Sequence, residues 1–440
     1  MTSQEITKVG AVDAHGDYAV TSVSTDQKKS TLDVSVVSAG FCICMSGLFT
    51  GAAIAAGLGL QDAIIATIFG NIILAGYGGL LGSAGAKEGV ATAVLARHSF
   101  GRQGSMIVGA VLALTMLGWF SVQVGFFGLT INTMFPAGGL LTSVRFAALW
   151  GGILMILTAY YGYKGLSILS KIAIPAIVIT AIIGIFAAVN QAGGWELLGA
   201  IKPAQSMTLG TGIVLAVGSF AGGASAQADI TRYAKSPKAA WIATIFGFIV
   251  ANSFVIIAGL ITTLATGSGD LPSSMLALGL GFPALIVLLA GQWTTNDNNL
   301  YTSSLGLSNL FKTKKSKIVV IGGSIATLIG VAGLADYFVL WLTLLGIMIP
   351  PMAGIIIADY YLLKQGRYKF GPGTKYVGIY WPAIVAWILA SIGGYYIKWG
   401  VASLNSLILG LLFYLLIAKL TEKFDIKVSS GISVEDKTGF

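Results

Sequence analysis

Twelve apolar stretches follow one another along the chain, near residues 33–57, 62–84, 105–135, 143–163, 170–191, 207–233, 238–266, 279–304, 317–334, 337–362, 377–397 and 399–418, with short polar loops between them. A helix needs roughly 20 apolar residues to cross the hydrocarbon of a bilayer. The pattern therefore predicts an all-α integral membrane protein with twelve transmembrane helices. Charge agrees with it: only 10% of the residues are charged and the mean hydropathy is +0.85, against about 25% charged in ordinary soluble domains.

With the N-terminus placed in the cytoplasm, all but three of the 26 Lys and Arg residues fall on cytoplasmic segments. The exceptions are Arg145, Lys202 and Lys398. Such an excess is the positive-inside signal, and it predicts a multi-pass protein of the cell membrane with both termini in the cytoplasm. The net charge of +9 follows from this bias. Because the basic residues are spread over many loops and not gathered on one face, they exclude a nucleic-acid partner. Residues 1–32 are polar and hold no apolar core of a signal peptide. Cys42 and Cys44, two residues apart inside the first span with no His, Asp or Glu beside them, predict neither a disulfide nor a metal site.

Several spans carry polar or helix-breaking groups where lipid would reject them. The strongest case is Gly291-Gln292-Trp293-Thr294-Thr295-Asn296-Asp297-Asn298-Asn299-Leu300-Tyr301, inside the otherwise apolar eighth span. An ionisable group such as Asp297 at that depth costs about 2.5–3.5 kcal/mol unless it faces a polar interior, which points to a solute or ion site; Asp297 itself reads best as a brace between helices. In the third span Trp119 and Gln123 are four residues apart and project from one helical face. An indole can stack on a planar heterocycle while an amide reads its edge; the other reading is an interhelical hydrogen bond beside an ordinary packing Trp. The sixth span holds Gly218-Ser219-Phe220-Ala221-Gly222-Gly223, and glycine costs about 1 kcal/mol relative to Ala in a helix interior. A helix broken near Gly222, with Phe220 at the break, is expected there, and Asp229 is expected to pair with a base such as Arg232. The glycines of the first span, Gly40, Gly47 and Gly51, fit either close helix packing or a break whose carbonyls coordinate a cation.

The first and sixth spans lie five apart. Two five-helix repeats with an odd count must insert in opposite senses, the inverted-repeat plan of many secondary transporters. The expected organisation is a tail over 1–32, a first repeat over 33–191, a second over 207–362, helices eleven and twelve over 377–418 and a tail over 419–440. Ile349-Pro350-Pro351 must interrupt the tenth span. The last two spans carry no buried polar cluster and are assigned to lipid or oligomer packing, the oligomeric state itself being left open.

From residue 33 to 365 the chain resembles the nucleobase-cation symporter-1 family, the purine and cytosine permeases, and within it the bacterial cytosine permease branch. The likeness is carried by Gly70-Asn71 with Gly85-Ala86-Lys87, Leu95-Ala96-Arg97 with Ser99-Phe100-Gly101, Gly118-Trp119-Phe120, Gly218-Ser219-Phe220, Trp293-Thr294-Thr295-Asn296-Asp297-Asn298 with Leu300-Tyr301, and Ile349-Pro350-Pro351 with Ala358-Asp359-Tyr360. It implies the leucine-transporter-like fold and import of a nucleobase by cation symport, with Na+ as the coupling ion and no other cofactor. By this resemblance the base lies between Trp119 and Phe220, with polar contacts from Ser219, backbone near Gly222 and Asn296; Gln123 matches a substrate-contacting Gln of hydantoin-transporting relatives. The cation would lie between carbonyls near Cys44 and Gly47 and the hydroxyls of Thr294 and Thr295, with Gly291 beside them. Two positions depart from the cytosine branch, which has Gln where this chain has Met116 and Asn where it has Gly291.

Other classes fit less well. A channel calls for charged rings or a repeated filter loop, and neither is present. An enzyme needs a nucleophile with a base or a metal cluster, yet the two histidines, His15 and His98, both lie outside the spans. A receptor-like binding protein differs from a transporter only in lacking uptake. Within transport, the alternative to a nucleobase is another heterocycle, a hydantoin, allantoin or vitamin precursor, with proton coupling.

Overall fold

The computed structural model describes residues 22–161, 163–203, 205–370, 374–423, 429–430 and 434–435. Each apolar stretch forms a helix or a chain of short helices. Among the described residues, seven helical segments are long and apolar enough to cross a membrane, or eight when a bent pair in the first span is counted as one. The remaining spans fall outside that count for local reasons. The eighth, Gly281–Phe311, is long but carries the polar run, the ninth, Lys315–Val331, has only 17 residues, and Leu209–Ser225 and Trp381–Tyr396 are shorter apolar helices.

The breaks occur where backbone chemistry requires them. The first span is two helices, Thr31–Cys42 and Met45–Ala55, bent by 54°. Its entry is fixed by a capping box in which the Ser30 hydroxyl accepts the Asp33 N–H and the Asp33 carboxylate accepts the Ser30 N–H. In the sixth span Phe220 leaves helical geometry (φ −137°, ψ 17°) inside Leu209–Ser225, and a second short helix, Gln227–Thr231, follows. The tenth span stops at Met348 and restarts at Pro350, since proline has no N–H to continue the ladder. Two spans carry wider turns with i→i+5 bonding, Phe246–Asn252 and Ala358–Leu363. The first of these ends on Asn252, whose Nδ2 donates to Asn71 Oδ1 of the second span at 2.7 Å.

The second half of the first span packs on the seventh, the second on the sixth, the third on the eighth, and the sixth on the tenth. Glycines allow the closest of these approaches. Gly51 lies against the carbonyl of Ile256, and Gly259 against the carbonyl of Leu48, so the two backbones touch with no side chain between them. Asp297 faces the fourth span. Its Oδ1 accepts the Thr158 hydroxyl at 2.8 Å, and the Trp293 indole N–H donates to the same Thr158 at 3.0 Å.

Residues 23–29 strap the ends of three spans together. Lys28 Nζ donates to Ala86 O (2.9 Å) and Arg232 O (2.8 Å), the Lys29 N–H to Tyr233 O, and the Val23 N–H to Gly89 O. An ammonium satisfies carbonyls left open at two helix ends. Lys28→Met is expected to lower stability by about 1–2 kcal/mol, the charged hydrogen-bond range reduced for half-exposure. A melting temperature equal to that of the parent chain would show that water replaces the ammonium.

Several features depart from the sequence reading. Two short antiparallel pairs, Lys375–Tyr376 with Val434–Glu435 and Ile379–Tyr380 with Ser429–Ser430, add strands to an otherwise helical fold. Span twelve does reach a buried polar cluster, because Tyr414 donates to Asp359 Oδ1 at 2.7 Å while Tyr368 donates to Oδ2 at 2.6 Å. His98, expected in solvent or at the interface, stacks on Tyr368 at 3.8 Å and bonds Lys369 O. Burial pushes its pKa down to about 4, against the smaller raising effect of that carbonyl, so the ring is neutral at pH 7. Where the sequence reading paired Asp229 with Arg232, the two are in contact, Arg232 Nε donating to the Asp229 carbonyl at 3.2 Å, and Asp229 Oδ1 also accepts the Thr92 N–H at the start of helix Thr92–Phe100.

Candidate functional site

The two broken spans meet the third, fifth and eighth around one cavity of about 310 Å3. Its wall is built from the break of the first span (Gly40 to Ser46), from Met116, Trp119 and Gln123, from Ser219 to Gly223, and from one face of the eighth span. Breaking a helix in lipid is tolerated only where the freed backbone lines a cavity or is buried in protein, and both breaks do so here.

The polar inventory is small and specific. Gln123 is 1% exposed, and neither its Oε1 nor its Nε2 has a protein partner. An orphaned buried amide is costly, and this carboxamide, on the cavity wall, has both its donor and its acceptor open to a partner there. Asn299 also lines the cavity, 9% exposed, with an unpartnered Nδ2. Ser219 Oγ donates to Ala216 O at 2.7 Å and keeps its lone pairs for a donor. Trp119 and Phe220 supply aromatic surface, and Phe41 meets Phe220 edge-on at 5.1 Å. Among the described lining residues none is ionisable except Cys44.

At the first break Cys44 N–H donates to Cys42 O, and Gly47 N–H to Cys44 O. Those N–H groups would otherwise bond Gly40 O and Ile43 O, the i−4 acceptors of a continuous helix. Two carbonyls are thus released beside Thr294 and Thr295, whose hydroxyls donate to Gly291 O at 3.1 and 2.8 Å and leave their lone pairs as acceptors. Carbonyl and hydroxyl oxygens together make a hard donor set of the kind found at half-helix ends that hold Na+.

Of the residues singled out from sequence, Trp119, Gln123, Ser219, Phe220, Gly222, Cys44, Thr294 and Thr295 line this cavity, while Asn296, Gly47 and Gly291 do not. Asn296 is fully buried on another face of the eighth span, its Nδ2 donating to Phe120 O (3.1 Å) and to Met155 Sδ (3.2 Å). Gly47 lies within a helix, against Val255 of the seventh span. Gly291 faces Met45 and contributes through the carbonyl that receives both threonines. Asn298, Asn299 and Thr302 were missed. Their spacing of three, four and seven from Thr295 puts them on the threonine face, and that signal was present in the sequence.

Away from the Phe41 side, aromatic rings pack behind Trp119, which alone among them lines the cavity. Phe49 stacks on Phe126 (3.9 Å, 4°), Phe126 meets Phe338 (5.0 Å), and Trp119 meets Phe338 (6.1 Å) and Trp341 (6.2 Å).

Residues 23–410 match the family model described as permease for cytosine/purines, uracil, thiamine, allantoin. The chain is 35% identical to the cytosine permease of Escherichia coli (strain K12), over 90% of this chain and 92% of that one. It is 26% identical to the hydantoin permease of Microbacterium maritypicum, over 70% and 69%. Its fold superposes on the inward-facing conformation of Mhp1 with a TM-score of 0.78 at 18% identity, covering 94% of this chain and 95% of that one. It also superposes on Mhp1 closed around a bromovinylhydantoin, with a TM-score of 0.75 at 19% identity, covering 92% and 95%. A family match over most of the chain, joined to this fold, makes the protein a multi-pass membrane transporter that belongs to the cytosine and purine permease family of nucleobase-cation symporters.

Proposed function

We propose that the protein imports an uncharged nucleobase, cytosine or a purine, in symport with Na+ by alternating access. The observation that carries this reading is the unpartnered Gln123 carboxamide in a cavity walled by Trp119 and Phe220. A carboxamide offers one donor and one acceptor side by side, complementary to the acceptor-donor edge of a nucleobase, and the rings supply stacking. The lack of a charged lining side chain among the described residues favours a neutral ligand, because a charge buried unpaired is expensive. Na+ would be held by the Gly40 and Ile43 carbonyls with Thr294 and Thr295. Substrate and cation would then favour one occluded state, and each would raise the affinity of the other.

A second reading keeps the pocket and changes the substrate. Met116 lines the cavity at the position where cytosine permeases have Gln, which takes one amide from the polar code and favours a hydantoin, allantoin or vitamin precursor, with protons as the coupling ion. Thermal stabilisation by a panel of heterocycles, with and without Na+, separates the two. A ligand present at about 100 times its Kd adds about 2.7 kcal/mol of stability. Cytosine or a purine acting more strongly with Na+ supports the first reading, a hydantoin acting without Na+ supports the second, and no response to any of them overturns both.

Thr295→Ala tests the cation site directly. Its loss should raise the Na+ concentration for half-maximal uptake roughly tenfold, equivalent to about 1.4 kcal/mol, with little change in melting temperature. An unaltered Na+ response would remove Thr295 from the cation site.

A further inference from the structure

A second cavity, of about 980 Å3, shares no lining residue with the first. It lies on the face that carries both terminal segments, between helix Thr92–Phe100, the end of the tenth span, residues 376–380 and the end of the twelfth span. Arg97, Lys364 and Lys419 bring three cations to its wall, against the carboxylates of Asp359 and Glu422. The count leaves one positive charge in excess. Both oxygens of Asp359 are occupied by the Tyr368 and Tyr414 hydroxyls, and Lys364 and Lys419 have no hydrogen-bond or ion-pair partner among the described residues.

Exposed leucines flank these lysines. Leu362 and Leu363 at the end of the tenth span and Leu416 and Leu420 at the end of the twelfth are 56%, 46%, 55% and 41% exposed. Unpartnered cations at the mouth of a cleft, next to leucines that face outward from membrane-crossing helices, match a molecule with an anionic head and hydrocarbon chains. Basic pockets between helix ends recognise anionic lipid headgroups in this manner, and Lys stems can lie along apolar surface while the ammonium reaches the head.

We propose that this cleft binds the phosphodiester headgroup of an anionic phospholipid through Lys364 and Lys419, with the acyl chains against Leu363 and Leu416. Bound there, the lipid bridges the ends of the tenth and twelfth spans on the basic face, a role separate from substrate recognition.

The test uses the full chain purified into bilayer discs of phosphatidylcholine with increasing phosphatidylglycerol, read by melting temperature and by native mass spectrometry of retained lipid. Phosphatidylglycerol should raise the melting temperature and be retained over phosphatidylcholine, with the effect weakened by salt. The double variant Lys364→Gln, Lys419→Gln should lose that shift and retain phosphatidylglycerol at least tenfold less well. A charge-matched control, Lys314→Gln with Lys317→Gln, should behave as the parent chain. The melting temperature in pure phosphatidylcholine discs should be the same in all three, which shows the variants folded.

Equal retention of the two lipids by the parent chain would overturn the proposal, as would an undiminished shift in the double variant. Glycerol 3-phosphate in phosphatidylcholine discs separates the sources of the anion. If it reproduces the full shift, the cleft takes a soluble phosphate and the lipid assignment falls.

Discussion

Trp119→Ala should weaken substrate binding roughly 5- to 150-fold, the equivalent of the 1–3 kcal/mol carried by one aromatic face stacked on a base. The indole is 7% exposed and lines the cavity, while its edges contact Phe338 and Trp341. It therefore links the cavity wall to the aromatic cluster on the side away from Phe41. Trp119→Phe keeps a face and should recover most of the affinity. The measurement is substrate-induced stabilisation together with uptake kinetics, with the melting temperature of the ligand-free variant as control. If affinity were unchanged in Trp119→Ala while the ligand-free protein melted lower, the residue would be part of the aromatic cluster alone and the stacking model would fail.

The largest structural effect is expected at Gly259. A Cβ there meets the carbonyl and backbone of Leu48, just as one on Gly51 meets the Ile256 carbonyl and the Leu260 N–H. Two helix backbones in mutual contact have no flexible side chain to yield, so Gly259→Val should cost about 3 kcal/mol or more, the upper range for overpacking. With total stabilities of about 5–15 kcal/mol, much of the protein should fail to fold, seen as loss of the monodisperse peak in size-exclusion chromatography. Gly76 provides the contrast, as a Cβ added there meets nothing within 4 Å. Gly76→Ala should be neutral or stabilising by up to about 1 kcal/mol through helix propensity. If Gly259→Val folded as well as Gly76→Ala, the first and seventh spans could not pack as closely as described.

The cavity and the aromatic cluster lie toward opposite ends of the first span. Lining residues Gly40 and Phe41 belong to the terminal half of the first span, on the side of the residue 23–29 strap, while Phe49, Phe126 and Phe338 pack together away from it. If the basic loops face the cytoplasm, as their charge predicts, the cavity is disposed toward the cell interior.

What the sequence determined by itself is what a bilayer imposes locally. Lipid leaves the backbone no partner except its own next turn, so long apolar stretches had to be helices. Gly222-Gly223, the glycines of the first span and Pro350-Pro351 mark places where that ladder fails, and the structure interrupts the helices at or near each of them. Helical spacing put Trp119 and Gln123 on one face, the family resemblance pointed to Ser219, Phe220, Thr294 and Thr295, and all six line the cavity.

Only the tertiary structure decided how each helix is rotated about its axis. That rotation selects Asn299 and not Asn296 for the cavity, turns Asp297 toward Thr158, and brings Tyr414 of the last span to Asp359. It is set by backbone contacts such as Gly51 with Ile256, between residues some two hundred positions apart. A polar run in one span states that some face must be wet, and its neighbours in space determine which one.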